Sequence, residues 1–394
     1  MRNFSANTDS LLELEKHFQV QQGPRWSCRS LFWVVWPLLS GLVGCAPVAL
    51  PDGERRVALE GTTERVIVPT QVELSERGQE LSSLLDELAS DPGSVDLSAI
   101  REAYISTRSP LEEAQAFGFG PALDLRSFKT IDLGPADTAK IDAELGSDAE
   151  MTAAHLRTLG ADKRGLHAIE YLLFPADDAD VEAALLADDI AGERRRQFVS
   201  AAGQLVAASA LQLEQAWTPE KGDYAARFSQ PGGPDSVDSS VQAGLDTLLN
   251  EAVVLSEVIA NAKLGKVLGT ATGGEPDPAA QESERASASI SDMLGNLRGV
   301  RNVYFGTRGD APVTSLSSLV HAKSPSADVH ARQALADADA ALKAIPEPLG
   351  QALVDSPETV TAAYDAIKAL KRVLATEVLG TLGASLKFSD NDGD

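Results

Sequence analysis

Only two cysteines occur in the 394 residues, Cys28 and Cys45, and both precede residue 46. The body of the chain therefore cannot be stapled by disulfides, and it carries no zinc finger, iron–sulfur cluster or catalytic thiol. Positive charge is scarce: 34 Lys+Arg stand against 58 Asp+Glu, a formal charge of −24. No Lys/Arg-rich block of five exists, so nucleic acid is excluded as a partner, because binding a phosphate backbone is carried by those two residue types. Aromatics make up 5% of the residues, and Trp217 is the only tryptophan beyond residue 36. After Cys45 no apolar run approaches the roughly 20 residues needed to span a bilayer. A phosphate-binding Gly-x-x-x-x-Gly-Lys-Ser/Thr loop, a Gly-x-Ser-x-Gly elbow and a His-Glu-x-x-His zinc motif are also missing.

What is present begins with an apolar segment, Leu31 to Val43, preceded by Arg25 and Arg29. Thirteen residues suit the core of a signal peptide and are too few for a spanning helix. The run ends in Leu42-Val43-Gly44-Cys45, which resembles the lipobox of bacterial lipoproteins. The resemblance implies that residues 1–44 are removed and that Cys45 is lipidated, anchoring the protein to a membrane of the cell envelope. Ala46 follows in place of an inner-membrane retention aspartate, which implies the outer membrane, facing the periplasm or the cell surface. Residues 1–24 are too polar for a signal n-region and point to an upstream start site.

With 43% hydrophobic residues the remainder is no disordered polyanion, and its length suits about two domains. Residues 45–72, with Pro47, Pro51, Gly53, Gly61 and Pro69, read as a tether with one weak strand at Arg65-Val66-Ile67-Val68. Beyond residue 73 the period is helical. Val199, Ala202, Val206, Ala210, Leu213 and Trp217 form one stripe, and Val241, Leu245, Leu248, Ala252, Leu255, Ile259 and Ala262 a second. Ile290 to Tyr304 and Val360 to Val378 repeat the pattern. The fold class expected is all-α, as two helical bundles of about four helices each. The Pro/Gly-rich stretch 218–235 would join an N-terminal bundle at 73–217 to a C-terminal bundle at 236–388. Gly269 to Gln281 reads as a loop, and 389–394 as an acidic tail.

One constellation in this body carries chemistry. In Gly165-Leu166-His167-Ala168-Ile169-Glu170-Tyr171-Leu172-Leu173 the histidine and glutamate are three apart and share a helix face. With Leu166 at zero, Leu173 falls at about −20°, Ile169 at about −60°, Glu170 at about +40° and His167 at about +100°. Glu170 thus points into the apolar arc, a costly placement unless a cation or hydrogen-bond donor meets it. The pattern admits a metal site, or a His–Glu or Glu–Arg pair tying helices together. Gly165 is open in the same way, since it could admit a ligand beside the imidazole or mark close packing.

The string Arg164 to Leu173 resembles the Gly-x-His-x-x-Glu signature of the imelysin family of bacterial envelope proteins. Arg108-Ser109-Pro110-Leu111-Glu112 with Phe117 to Pro121, and Ser291 to Gly306, resemble two further blocks of that family in the same order. The resemblance spans roughly residues 75–388 and implies an all-helical fold in two halves. It implies His167, Glu170, Glu112 and, through Ile141-Asp142, Asp142 as metal ligands, with Gly165, Gln115 and Arg108 beside them. Leu111 stands where the family has an aromatic residue, and Gln115 where a second glutamate is common, which removes one negative charge from the site. Arg108 could position an anionic ligand or pair with Glu112 at i, i+4.

The function expected is an envelope lipoprotein that binds a divalent metal, iron, zinc or copper, in connection with iron uptake. The first alternative is a metallopeptidase, which would need a third ligand and a separate base. The second is binding of a polysaccharide or protein partner with a purely structural His–Glu pair. Because the lipid anchor rests on Cys45 alone, Cys45→Ala is expected to move the protein from the detergent phase to the aqueous phase. Continued membrane fractionation of that variant would refute the anchor.

Overall fold

Helices fill the residues that the computed structural model describes, 52–174 and 181–386, and no strand occurs among them. The signal segment, Cys45 and the tail at 389–394 lie outside the described residues. The principal helices are α1 (Asp52–Thr62), α2 (Val68–Ser90), α3 (Leu97–Ala114), α4 (Thr138–Leu145), α5 (Leu166–Leu173), α6 (Ile190–Trp217), α7 (Tyr224–Ser229), α8 (Val241–Glu257), α9 (Ser289–Phe305), α10 (Pro325–Lys343) and α11 (Pro357–Val373). The all-α expectation holds. The stripe from Val199 to Trp217 is buried on α6, and the stripes of α9 and α11 are buried likewise.

The second stripe breaks in an instructive way. Val241 to Ile259 are buried, but Ala262 is exposed, and the next buried residue of that face is Leu264. Val258–Gly265, directly after α8, is a π-helix, whose wider turn sets the repeat at five residues instead of three or four. Ile259 and Leu264 obey that repeat, and the rotation brings Lys263 inward.

Residues 52–72 correct the expected tether. They form α1, a π-helical turn at Thr63–Ile67 and the start of α2. Val66 and Ile67, assigned to a weak strand, are buried in that turn, where packing overrides their β preference. Pro69 is the second residue of α2, directly after the π-helical turn. Gly61 lies under the Arg65 guanidinium, which donates through Nε to the Gly306 carbonyl 3.0 Å away.

The 218–235 stretch holds the short α7 between its breakers, yet packing continues across the two halves. α6 lies along α2, α2 against α3, and α3 against α9 of the second half; α9 in turn packs on α8 and α10, and α10 on α11. The described residues form one compact unit. The α3–α9 contact is the one that positions the site, and Gly295 and Gly299 permit its closeness. A β-carbon at Gly295 would stand 2.8 Å from Cβ of Glu112, and one at Gly299 2.5 Å from the Glu113 carbonyl oxygen. Gly→Ala in an exposed helix gains about 1 kcal/mol, so the sign here should invert. Gly299→Ala is expected to cost about 1–3 kcal/mol in urea unfolding, whereas Gly380→Ala, with nothing within 4 Å, should cost nothing.

Candidate metal centre

Arg108 and Glu112 are one turn apart on α3, and Asp292 and Asn296 one turn apart on α9. The close approach of these helices turns both pairs toward each other in the core. Arg108 is 1% exposed and uses every N–H it has. Nε donates to Asp292 Oδ1 at 2.9 Å, and Nη2 to Asp292 Oδ2 at 2.8 Å and to Glu112 Oε1 at 3.1 Å. Nη1 donates to Asp132 Oδ1 at 2.9 Å and to the Tyr104 hydroxyl at 3.4 Å. Glu112 Oε2 accepts from Lys263 Nζ at 2.9 Å, Gln115 Nε2 at 2.9 Å and Asn296 Nδ2 at 2.7 Å. Both oxygens of Glu112 are thus closed in by donors.

His167 and Glu170 stand on α5, as their spacing predicts. His167 Nδ1 is 3.1 Å from Glu170 Oε2, and Glu170 Oε1 accepts from the Ala286 backbone N–H at 2.9 Å. Glu170 is therefore spent on orienting the imidazole and on fixing the 282–288 segment. The other ring nitrogen, Nε2, is buried without a hydrogen-bond partner, 3.4 Å from Asp132 Oδ1 and 3.9 Å from Glu282 Oε1. Asp132 Oδ2 is likewise buried and unpartnered. Ligand atoms of Asp132, His167 and Glu282 lie within 4.8 Å of one another, as do those of Glu112, Glu282 and Asp292. The first group lines a cavity of about 630 Å³.

Two glycines make this convergence possible. Gly165 opens α5 with φ +82°, and a β-carbon there would lie 2.5 Å from the Ile131 carbonyl oxygen. Close packing is therefore its role: it lets the 131–132 backbone approach the imidazole. A β-carbon at Gly134 would fall 2.5 Å from His167 Nε2, so this residue also has to be small.

Charge is out of balance here. Among the described residues, Glu112, Asp132, Glu170, Glu282 and Asp292 pair with only two permanent cations, Arg108 and Lys263. Burial would drive the His167 proton off, but the charge of Asp132 and the neighbouring Glu170 and Glu282 carboxylates outweigh it and raise the imidazole to about 10. Burial, with Glu282 and Asp292 alongside, pushes Glu112 up to about 8 against the pull of Lys263 and Arg108. Glu282 goes the other way: burial opposes its charge, yet Lys263 and His167 hold it well below the usual carboxylate range. A proton on His167 thus offsets part of the excess negative charge, while Glu112 is met on both oxygens by donors.

The imelysin family model, an M75 peptidase family by its label, matches residues 67–376. The chain belongs to the imelysin family. Iron-regulated protein A of Synechococcus elongatus is 28% identical over 361 residues, covering 88% of this chain and 95% of that protein. Two crystal structures share the fold. One, from Parabacteroides distasonis and provisionally assigned as an iron-regulated protein A precursor, has a TM-score of 0.75 at 19% identity, over 85% of this chain and 97% of that one. The other, an imelysin-like protein from Psychrobacter arcticum, has a TM-score of 0.71 at 18% identity, over 87% of this chain and all of its own.

Against this imelysin fold the expected site residues sort clearly. His167, Glu170, Glu112, Gln115 and Arg108 come together. Asp142 does not: it is exposed on α4, accepts from the Tyr171 hydroxyl at 2.8 Å and belongs to neither group of ligand atoms. The dipeptide Ile-Asp occurs twice, at 131–132 and 141–142, and the copy that packs under Gly165 is the first. Arg108 combines the expected pair with Glu112 with two further carboxylates, leaving no donor for a ligand. Sequence reading also missed Glu282, Lys263, Asp292 and Asn296. The last two lie inside the Ser291 to Gly306 block, at helical spacing on the α3-facing side.

The His167 proton makes the metal-free protein pH-dependent. Its folded value of about 10 exceeds the ordinary 6.5, so its contribution to stability is complete below pH 6.5 and is lost as pH rises to 10. The stability advantage of wild type over His167→Gln, measured in urea with a chelator present, is expected to shrink across that window. The slope should approach about 1.4 kcal/mol per pH unit. A flat difference would show that His167 is neutral in the folded protein.

Proposed function

We propose that this imelysin-family chain is an envelope lipoprotein that binds one transition-metal ion through His167 Nε2 and carboxylate oxygens of Asp132 and Glu282. The observation that supports it most directly is the pair of buried, unpartnered atoms, His167 Nε2 and Asp132 Oδ2, beside Glu282 in a cavity wall. Buried polar atoms without partners are costly, and here they belong to groups with ligand chemistry. An imidazole with carboxylates suits iron, zinc or copper better than magnesium or calcium. Iron is the favoured member because the curated relative is named iron-regulated protein A.

Glu170 passes from ligand to positioning residue. By accepting from Nδ1–H it sets the tautomer that leaves Nε2 free to ligate, as outer carboxylates of histidine-bound metals do. A bound metal would supply the cation that the five carboxylates lack, displacing the His167 proton on entry. Hydrolysis is the weaker reading. A metallopeptidase needs a carboxylate free to act as base toward metal-bound water; Glu112 is enclosed by Arg108, Lys263, Gln115 and Asn296, Glu170 bridges His167 and Ala286, and the other lining carboxylates, Glu251 and Glu284, belong to neither group of ligand atoms.

Untagged protein dialysed against Zn²⁺ or anaerobic Fe²⁺ is expected to retain about one equivalent of metal, and His167→Ala none. Glu170→Gln should bind about 10–100-fold more weakly, while Asp142→Asn stays at wild-type affinity. An unchanged affinity in Glu170→Gln together with a markedly lower urea midpoint would make the His167–Glu170 pair purely structural and sink the assignment.

A further inference from the structure

The cavity is far larger than one ion requires. A water occupies about 30 Å³ of liquid, so an ion with a few waters leaves most of the 630 Å³ unclaimed; the volume lies in the roughly 300–1,000 Å³ range of small-molecule sites. Its remaining lining has a chemistry of its own. Lys129, Lys266 and Arg285 line the same cavity, and among the described residues no carboxylate pairs with any of them, in a chain that carries a formal charge of −24. Arg285 is held over the Tyr171 ring, 4.9 Å from its centroid, with its N–H edge free for an anion.

Two further groups in the wall lack partners. The Ser283 hydroxyl is buried, 2% exposed, and makes no hydrogen bond, on a residue held at φ +51° immediately after Glu282. Glu251 lines the cavity, and burial alone pushes its carboxyl up to about 7. The Ser283 hydroxyl is suited to donate a hydrogen bond to an oxygen anion. Glu284, also in the lining, is exposed and, with Glu251, opposes an anion there.

We propose that the cavity takes its metal as a chelate with a small polycarboxylate, whose free carboxylates are held by Arg285, Lys266, Lys129 and the Ser283 hydroxyl. The inference rests on the metal reading above: the ion faces Asp132, His167 and Glu282, and the organic anion fills the volume beyond it. The anion depends on the ion. Without the ion the acidic wall repels the anion, and without the anion the three cations have no partner.

Equilibrium dialysis of the full mature chain with Zn²⁺ alone, radiolabelled citrate alone, and both together tests it. Wild type is expected to retain citrate near the metal stoichiometry only when Zn²⁺ is present. A Lys266→Gln/Arg285→Gln double variant should weaken citrate retention at least tenfold, and Ser283→Ala severalfold, with affinity for Zn²⁺ alone unchanged or tighter. Zn²⁺ binding with citrate left outside, or citrate simply stripping the metal, would overturn the chelate and leave the metal site standing. Citrate retained equally without metal would also overturn it. Failure of Zn²⁺ alone to bind would remove the metal reading itself.

Discussion

Five N–H groups of one guanidinium hold the centre of this molecule. Arg108 joins α3, on which it stands, to Asp292 of α9 and to Asp132 of the segment that approaches His167. Removing a charge from a buried cluster of this kind leaves its partners uncompensated, at a typical cost of about 3–5 kcal/mol. The three carboxylates it binds come from three separate stretches of chain, so its geometry fixes their mutual positions. Everything that converges on His167 is built outward from that arrangement.

The cluster is not neutral, and that imbalance links structure to function. Two permanent cations cannot offset five carboxyl groups, and the carboxylates around His167 raise its imidazole above the ordinary range so that it can carry a further positive charge. A metal ion would meet the imbalance as well, and with Asp132 Oδ2 and His167 Nε2 it would satisfy the buried atoms that protein partners leave alone. On the proposed metal reading, competition between proton and metal would be a property of the core, not of surface acidity. The surface charge adds only a diffuse attraction for cations.

Irregular backbone does much of the positioning. The π-helical turn after α8 rotates Lys263 to Glu112 and Glu282, and Gly165 admits the 131–132 backbone. Gly295 and Gly299 let α9 reach α3. The π-turn and Gly165 depart from the regular period where a regular helix would hold the groups apart, whereas Gly295 and Gly299 act within a regular helix by lacking a β-carbon. π-turns recur at functional sites for this reason.

Periodicity determined the helices, because stripes such as Val199 to Trp217 and Ile290 to Tyr304 repeat at the spacing that buries one helix face, whatever the tertiary context. His167 and Glu170 were legible because both belong to one helix and their relation is local. The family blocks pointed to Arg108 and Glu112 for the same reason: they stand one turn apart on α3. Relations set by long-range packing were not legible. The tether expected at 45–72 is helical from Asp52 because Val66 and Ile67 find a core, which no local propensity encodes. Asp132 and Asp142 come after identical isoleucines, and only the left-handed backbone at Gly165, closing on Ile131, decides which aspartate meets the imidazole. Glu282 comes from a loop and Lys263 from a helix whose register slips by a π-turn, so neither could be placed by counting residues. Local spacing determined the elements and the motif; contacts between distant segments chose its partners.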